Sequence, residues 1–594
     1  MNKPGTICLR AMPVLSTLLL SVLAFLTAAC SDALLDEMAR LAINANLPTI
    51  SPADKSIITA HETITLSFSS AMDPTLVTIS GSAFSVAPAT AWSDTKTLEL
   101  NPDNLVAWSA GSAKTLQLSI TQGGQIVNYD YEFEVFNGVC VGGGAVNSSD
   151  ADQSYEGTQL HPNATVAGGI ARARVRYPAD PIQVRIARYT GAPYAYEFNG
   201  VSSPVECVEG VSLYGGYDVA FTARNASVNV TTLRATSTDS AGSVALVCGS
   251  GITRSTVIDG LTLVGAIVSG SVDSYALACL NGASPTIQNC KIQAGTSTID
   301  ASLYAVRIGG SASCSPLISQ CAINDGVSVG GSEALNCIGI LMDASRFNGT
   351  VIEGCVIRGG TANQTAGSVG ASVGIQITNQ GSSATIYGNL IYGGAADLAT
   401  GIYCGLGGSA AISIYNNLIV SGSSLTGGTP SNVSALYFNG ITSAVTVRNN
   451  TIIGNSASNA PLYGVYCDGD AQPTFQNNIV RIPAIGSTDP CYAFHDSSNA
   501  YVTPERCSVS VADAGDAVYC YLSNTTGTLP GGTNSTADPV LDGSYRPSQA
   551  PAKDGGLNGN KLIWSFSDDL AGTIRTPTNA DDELGWSMGC YEVD

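Results

Sequence analysis

Charged side chains are scarce in this chain of 594 residues. Asp, Glu, Lys and Arg together make up 12% of it, whereas about 25% is usual in soluble proteins. Lys and Arg number 25 against 46 Asp and Glu, so the chain lacks the basic face that a nucleic-acid partner requires. The shortage of charge also excludes coiled coils and other long solvent-exposed helices.

Metal-binding motifs are missing as well. The sequence has three His residues, His61, His161 and His495, and it contains neither a Cys-x-x-Cys pair nor zinc-type Cys/His spacing. We therefore predict no metal ion and no cofactor. By contrast, Gly (65 residues) and apolar residues (44%) are plentiful, which predicts a long β-rich fold whose bends are rich in Gly and Ser.

The first thirty residues are typical of an exported protein. Lys3 and Arg10 precede an apolar run that ends in Leu26-Thr-Ala-Ala-Cys30. Small residues before a Cys resemble the bacterial lipoprotein signal, although such signals usually carry Leu where Thr27 stands. The resemblance implies removal of residues 1–29, lipidation of Cys30, a tether over residues 30–48 and a place in the cell envelope, at the outer membrane or cell surface. The alternative is an ordinary secretory signal with an incidental Cys.

Alternating apolar residues predict a small β domain over residues 49–136. Ile64-Thr-Leu-Ser-Phe68 alternates, as do the segments 97–100, 115–118 and 131–135. Together with Met72-Asp73-Pro74, the first of these resembles the bacterial Ig-like domain first described in surface-layer proteins. That resemblance implies a β-sandwich that acts as a spacer. We interpret Asp73 as a residue that stabilises a turn rather than as a metal ligand.

A motif recurs from residue 257 onwards. It appears as Thr286-Ile-Gln-Asn-Cys290-Lys-Ile292 and again as Ser413-Ile-Tyr-Asn-Asn417-Leu-Ile419, and a second alternating motif such as Tyr463-Gly-Val-Tyr-Cys467 precedes each copy. Short strands at a period of about 31 residues predict the coils of a parallel β-solenoid. The pattern resembles the right-handed parallel β-helix (pectin-lyase-like) superfamily. We assign this domain to residues 137–545, with the clearest repeats over 257–482, so the predicted fold class is all-β.

Stacking of the coils assigns each motif position to a column. Two columns are predicted to point inwards: Ile287, Ile318, Ile352, Ile386, Ile414, Val447 and Phe475, and Ile292, Ile323, Ile357, Ile391, Ile419, Ile452 and Val480. Between them runs a bend column: Cys290, Cys321, Cys355, Asn389, Asn417, Asn450 and Asn478. We expect its Asn residues to form the hydrogen-bonded ladder familiar in β-helices. Its Cys residues are expected to be small buried fillers, because three thiols in a row cannot all pair.

Both ends of the solenoid carry segments that resemble β-helix caps. A short helix at 167–175, followed by strands at 182–187 and 210–217, precedes the repeats. Residues 546–594 resemble the C-terminal closing segment of surface β-helix proteins, in which Asp569 and Arg575 would pair. Cys507 and Cys520, in the preceding loops, are candidates for a disulfide.

Many β-helix proteins cleave polysaccharides, so an enzyme has to be weighed. Hydrolases of this kind use paired Asp residues with a Gly-His-Gly tripeptide, which is absent here, and the acidic pair Asp468 and Asp470 is interpreted as a turn. Lyases need a basic residue beside carboxylates, but Lys291 is the only Lys between residues 115 and 552. The Arg residues of the repeats fall in different columns: Arg254, Arg307, Arg346, Arg358, Arg448 and Arg481. We predict no catalytic residues; the alternative is a polysaccharide lyase or hydrolase with an unrecognised site.

One outward column carries Tyr on three consecutive coils, at Tyr403, Tyr437 and Tyr466. These predict a flat aromatic strip about 10 Å long, and Tyr387 and Tyr415 stack similarly on the neighbouring face. Such a strip can dock glycans or surface proteins, or it can simply stabilise the sheet. The sequence thus predicts a lipid-anchored envelope protein that displays a β-helix for binding, adhesion or envelope structure, without catalysis.

Overall fold

The computed structural model describes residues 48–142, 157–505 and 508–526 with gaps, and also Gly556–Leu557, Leu570 and Leu584–Trp586. The signal segment 1–29, Cys30, the tether up to residue 47, and Asp569 and Arg575 of the predicted cap lie outside the described residues. The chain divides into two compact units. One ends at Asn137 and the other begins at Gly138.

The first unit consists of two four-stranded sheets. One sheet has the strand order Thr49–Ser51, Ile64–Ser67, Thr97–Asn101 and Ala89–Trp92; the other has Ile57–Thr59, Gln125–Phe136, Gly111–Gln122 and Val77–Ser80. Every expected strand is present, and inward residues such as Ile64 and Leu66 are fully buried. Asp73 caps the 3-10 turn Pro74–Leu76, accepting hydrogen bonds from the Thr75 backbone N (2.9 Å) and Oγ1 (2.8 Å), so it stabilises the turn as expected.

The second unit is a parallel β-solenoid of the right-handed type. Sheet 1 is formed by Gly138–Val141, Ile182–Ala187, Val211–Tyr217, Val257–Asp259, Thr286–Gln288, Leu317–Ser319, Asn348–Glu353, Ser383–Tyr387, Ala411–Tyr415, Val445–Arg448, Thr474–Gln476 and Pro504–Glu505. Sheet 2 is formed by Tyr196–Phe198, Thr231–Ala235, Leu261–Val264, Lys291–Gln293, Ala322–Ile323, Val356–Arg358, Leu390–Tyr392, Leu418–Val420, Thr451–Ile453, Ile479–Ile482 and Ser508–Val511. Sheet 3 is formed by Val205–Glu206, Ser243–Cys248, Ser274–Leu280, Ala301–Gly309, Ala334–Met342, Ala371–Ile377, Leu398–Gly405, Asn432–Asn439, Leu462–Asp468, Cys491–Asp496 and Ala517–Leu522, with Thr525–Thr526 added antiparallel.

Short two-stranded pairings accompany the larger sheets. They join Ile267–Val268 to Thr296–Ser297, Gly330–Gly331 to Thr361–Ala362, and Gly556–Leu557 to Leu584–Trp586. Leu570 packs against a cluster on the outward side of sheet 2 that contains Leu418, Val420 and Ile453. Leu570 therefore contacts an apolar patch on the outer face of the solenoid.

A helix lies at the N-terminal end of the solenoid. It spans Val166–Arg176, and the Thr165 hydroxyl caps it by accepting from the Gly168 N–H at 2.9 Å. Its buried residues, among them Ile170 and Ala173, face the first strands of sheet 1. The helix and the two strands expected around it are confirmed. Among the described residues, no helix combines the length and apolar character that a membrane span requires.

The inward columns are confirmed. Each residue pairs in register with its counterpart on the next coil, as Ile287 does with Ile318 and Ile292 with Ile323. Every member of both columns is completely buried. Burial of such a side chain stabilises a fold by about 1.5–3 kcal/mol relative to exposure, so these columns form the solenoid core.

The bend between sheets 1 and 2 depends on one left-handed residue per coil. Residues immediately before the bend column have positive φ, for example Gly354 (60°), Gly388 (66°), Asn416 (54°) and Asn449 (52°). Gly and Asn adopt this conformation at least cost. The motif therefore carries Gly or Asn at most of these positions, because the turn that brings the bend column inside requires it.

Asn389, Asn417, Asn450 and Asn478 are fully buried in that column and are hydrogen-bonded from coil to coil. The Asn417 amide Nδ2 donates to the carbonyls of Ile386 and Tyr415 (both 2.9 Å), and its Oδ1 accepts from the backbone N and Nδ2 of Asn389 (both 3.0 Å). In the earlier coils, the thiols of Cys290, Cys321 and Cys355 donate instead to a carbonyl of their own turn at 3.2 Å. These Cys are free buried thiols.

We predict that Asn417→Ala lowers the free energy of unfolding by about 2–4 kcal/mol, because buried donors and acceptors on two coils lose their partners. Asn417→Cys should cost less, since a thiol occupies the same position in other coils. Thr385→Ala, on the outward face of sheet 1, is the control and should stay within about 0.5 kcal/mol. Urea unfolding followed by circular dichroism measures all three; equal losses for the two Asn417 variants would contradict the prediction.

Candidate functional site

Tyr403, Tyr437 and Tyr466 lie in register on neighbouring strands of sheet 3. Their ring centroids are 5.0 and 4.9 Å apart, but the rings are nearly perpendicular, at 88° and 83°. The strip is therefore not flat as expected: the rings alternate edge to face. This arrangement places the positive edge of one ring against the negative face of the next, which aromatic pairs prefer to a face-to-face sandwich.

The aromatic column continues beyond the predicted three residues. His495 follows Tyr466 in register and stacks on it at 5.0 Å and 17°. Beside them, Tyr463 and Tyr492 stack at 5.4 Å and 10°. We define the aromatic strip as these six residues: Tyr403, Tyr437, Tyr463, Tyr466, Tyr492 and His495. Sequence reasoning missed His495 because it follows the last recognised repeat; its spacing of 29 residues from Tyr466 was the available signal.

Polar groups border the aromatic strip. The Asn439 side chain lies near the hydroxyls of Tyr403 and Tyr437 and acts to lower the pKa of both, against the larger opposite effect of burial. Asp468 Oδ1 accepts from the Ser497 hydroxyl at 2.8 Å and from the Gly469 N–H at 2.9 Å. Burial, and then the negative charge of Asp468, raises the pKa of Tyr437. The strip therefore combines half-buried ring surface with amide, hydroxyl and carboxylate groups at its border.

His495 is neutral in the folded chain at neutral pH. Burial lowers its pKa to about 4, an effect that the negative charge of Asp468 only partly opposes. An uncharged imidazole keeps the end of the aromatic strip free of positive charge. Of the aromatic strip and its bordering residues Asn439, Asp468 and Ser497, only Asp468 carries a charge at neutral pH.

Tyr387 and Tyr415 belong to a different surface. They stack at 5.1 Å and 12° on sheet 1, and the Tyr387 hydroxyl donates a hydrogen bond to Glu353. The structure thus does not bring this pair together with the sheet 3 strip. The pair Tyr387 and Tyr415 lies on sheet 1, and the aromatic strip lies on sheet 3.

A polar cluster that the sequence did not indicate lies on earlier coils of sheet 3. The Arg307 Nη2 is 2.9 Å from Asp343 Oδ2, and Arg307 Nη1 donates to the Tyr275 hydroxyl at 3.1 Å. That hydroxyl in turn donates to Asp273 Oδ2 at 2.7 Å, and Tyr275 stacks on Tyr304 at 5.1 Å. Burial, reinforced by the bond to Asp273, raises the pKa of Tyr275. The sequence did not indicate this cluster because Asp273 and Asp343 lie in loops, and only the stacking of the coils shows which residues they contact.

The other Arg residues of the repeats are held in separate places. Arg254 donates to the carbonyls of Ser315 and Gly349, at 3.1 and 2.7 Å. The Arg358 guanidinium lies 4.1 Å from the centre of the Tyr392 ring, and Arg448 donates to Gln476 at 2.9 Å. Arg481 lies on sheet 2, whereas Arg346 and Asp470 lie outside the described residues. Cys507 is also outside them, as is the side chain of Cys520.

Comparison with known proteins yields few matches. No family model matches the sequence, and no curated protein matches it. Matching solved structures include two L,D-transpeptidases, LdtMt1 in complex with imipenem and an enzyme from Mycobacterium smegmatis. They are 12% and 22% identical to this chain over 16% of its length, each with a TM-score of 0.13. The chain covers 43% and 42% of these two structures, less than half of each.

A third match is the A-module of the mannuronan C-5 epimerase AlgE6 from Azotobacter vinelandii. It is 13% identical, with a TM-score of 0.24, over 67% of this chain and 98% of the module. All three TM-scores are below 0.5.

We predict that the solenoid loses stability as the pH falls from about 6.5 to about 4. Because the folded-state pKa of His495 is lowered to about 4, the unfolded chain binds a proton there first, near pH 6.5. The contribution of neutral His495 to the free energy of unfolding is therefore complete above about pH 6.5, and it is lost as the pH falls to about 4. After allowance for partial solvent exposure, the loss should be about 1–2 kcal/mol.

The variant His495→Phe separates this effect from the titration of carboxylates. Wild type should lose more unfolding free energy than the variant between pH 7 and pH 4.5, as measured by urea unfolding at each pH. Parallel pH profiles for the two chains would refute the assignment.

Proposed function

We propose that this chain is a non-catalytic protein of the bacterial cell envelope, anchored by lipid on Cys30, that displays its solenoid to bind neutral glycans. The single observation that carries the binding proposal is the aromatic strip with its polar border. The anchor rests on the lipoprotein-like signal that ends at Cys30. The first unit has two four-stranded sheets. Because its sequence resembles bacterial Ig-like domains, we assign it the role of a spacer.

The chemistry of the aromatic strip suits a saccharide chain. Sugar rings present apolar C–H faces that pack on aromatic rings, and their hydroxyls need hydrogen-bond partners at the edge of the contact. Tyr437 and Tyr466 supply ring surface, and Asn439, Asp468 and Ser497 supply donors and acceptors. Repetition from coil to coil, across neighbouring strands, provides similar contacts to successive sugars of a linear chain.

Charge favours neutral over acidic glycans. Asp468 is close enough to the strip to affect the Tyr437 hydroxyl, and its carboxylate would repel a uronate or sulfate. His495 is neutral near pH 7, with a pKa of about 4, so it offers no positive charge to an acidic sugar. The cation Arg307 is separated from Tyr403 by two strands of sheet 3 and pairs with Asp343.

We predict that Tyr437→Ala weakens the retention of neutral oligosaccharides at least tenfold, about 1.4 kcal/mol, because Tyr437 lies at the centre of the three-Tyr column. The measurement uses the full-length chain purified in detergent on arrays of neutral and acidic glycans. Tyr415→Ala is the matched control, since it removes a stacked Tyr from sheet 1 and should leave retention unchanged.

Three outcomes of this experiment would overturn the proposal. Release of cleaved or modified products would favour a polysaccharide-active enzyme. Retention of acidic glycans in preference to neutral ones would contradict the role assigned to Asp468. Absence of retention, together with capture of a surface protein that depends on Tyr437, would favour a protein partner over a glycan.

The anchor is tested separately. When the chain is expressed in a bacterium supplied with labelled palmitate, the wild type should incorporate the label and Cys30→Ala should not, because acylation takes place at that thiol. Cys8→Ala, which changes a Cys inside the signal segment, is the control and should keep the label. Label that persists in Cys30→Ala would refute the lipid anchor.

A further inference from the structure

Cys207 and Cys248 are neighbours at the N-terminal end of sheet 3. Strand Val205–Glu206 pairs in register with Leu246 and Val247, and the Cys207 N–H donates to the Val247 carbonyl at 2.8 Å. This pairing places Cys207 opposite Cys248, although the two are 41 residues apart in sequence. Neighbouring strands are about 4.8 Å apart, which falls within the Cα separation of roughly 4.4–6.8 Å that a disulfide bridges.

The two sulfur atoms are 3.1 Å apart, with the Cys248 thiol donating to Cys207 Sγ. In the bend column, by comparison, the thiols of Cys290, Cys321 and Cys355 each donate to a carbonyl oxygen of their own turn at 3.2 Å and also interact with one another. Cys207 directly follows the last residue of its strand.

Exposure distinguishes the two thiols. Cys207 is partly exposed, whereas Cys248 is completely buried. The hydrogen bonds of Cys248 with the thiols of Cys207 and Cys279, together with burial, raise its pKa well above the usual range. An oxidant from solvent therefore meets Cys207 first, and Cys248 lies in position to attack second.

We infer that Cys207 and Cys248 form a disulfide bond when the folded chain meets a small-molecule disulfide oxidant. The bond would covalently join strand Val205–Glu206 to strand Ser243–Cys248. Without it, these two strands pair through only two residues each. The inference does not depend on the proposed function.

The reaction balances without any further reagent. The Cys207 thiolate attacks one sulfur of the oxidant, and a mixed disulfide forms while the first oxidant thiolate leaves. The Cys248 sulfur then attacks Cys207 Sγ, forms the intramolecular disulfide and displaces the second thiolate. The two protein thiols are oxidised, the oxidant is reduced to two thiols, and these carry away the two protons.

The experiment maps the bond in the purified full-length chain. The chain is incubated with glutathione disulfide or with dithiothreitol, alkylated, and digested with trypsin without reduction. Arg224 and Arg234 separate the two residues, so each tryptic peptide contains a single Cys, and mass spectrometry identifies the linkage without ambiguity. The expected result is a Cys207–Cys248 linked peptide after oxidation, with loss of the alkyl label from both, and no such peptide after dithiothreitol.

Variants and stability provide the controls. Cys321→Ser, in the bend column, should still form the link, whereas Cys207→Ser should not. Oxidation should raise the Tm of wild type and leave that of Cys207→Ser unchanged. Three results would each overturn the inference: a stable mixed disulfide with glutathione on Cys207, a bond from Cys248 to Cys279, or two thiols that stay free after oxidation. The peptide mapping of the wild type distinguishes these results even if a variant fails to fold.

Discussion

The stacking of one coil directly on the next is the constraint on which the rest of the solenoid depends. Each strand pairs in parallel and in register with the equivalent strand of the next coil, about 4.8 Å away. A side chain in a paired strand of an interior coil therefore has a neighbour of equivalent position above and below it. A charged position repeated along such a column would place like charges together, which is destabilising. One outward column of sheet 1 is accordingly uncharged: Thr286, Leu317, Val351, Thr385, Ser413, Thr446 and Thr474.

The same constraint makes each bend a collective structure. A left-handed Gly or Asn turns the next residue inside, where its polar groups lie away from water and have to be satisfied by the neighbouring coils. Asn meets this requirement with donors and acceptors on both sides, as Asn417 shows with Asn389 and Asn450. Cys meets it with one thiol bonded to its own turn and a weak contact to the next coil, such as the Cys321 N–H to Cys355 Sγ at 3.4 Å. Both solutions occur in one chain because either fits the same small space.

Properties that repeat could be predicted from the sequence, and properties that do not repeat could not. The inward columns, the bend column and the alignment of Tyr403 with Tyr437 all follow from spacing alone. The ring orientations did not, because whether aromatic neighbours lie flat or edge to face depends on χ angles that spacing leaves open. The Arg307 cluster and the contact between Cys207 and Cys248 were missed for another reason: Asp273, Asp343 and Cys207 lie in loops or beyond strand ends, where no period identifies their partners.

Departures from repetition are therefore the most informative positions on this surface. One outward column of sheet 3 runs through Ala278, Arg307, Leu341, Gln376, Tyr403, Tyr437, Tyr466 and His495, in register throughout. An outward side chain does not fill the core, so packing against the interior does not dictate its identity. Stacking preference alone would explain a uniform ladder, but it does not require amide and carboxylate groups beside the rings. The change from mixed residues to aromatics on consecutive coils, bordered by Asn439 and Asp468, is the departure on which we base the proposal that this stretch of the solenoid binds a ligand.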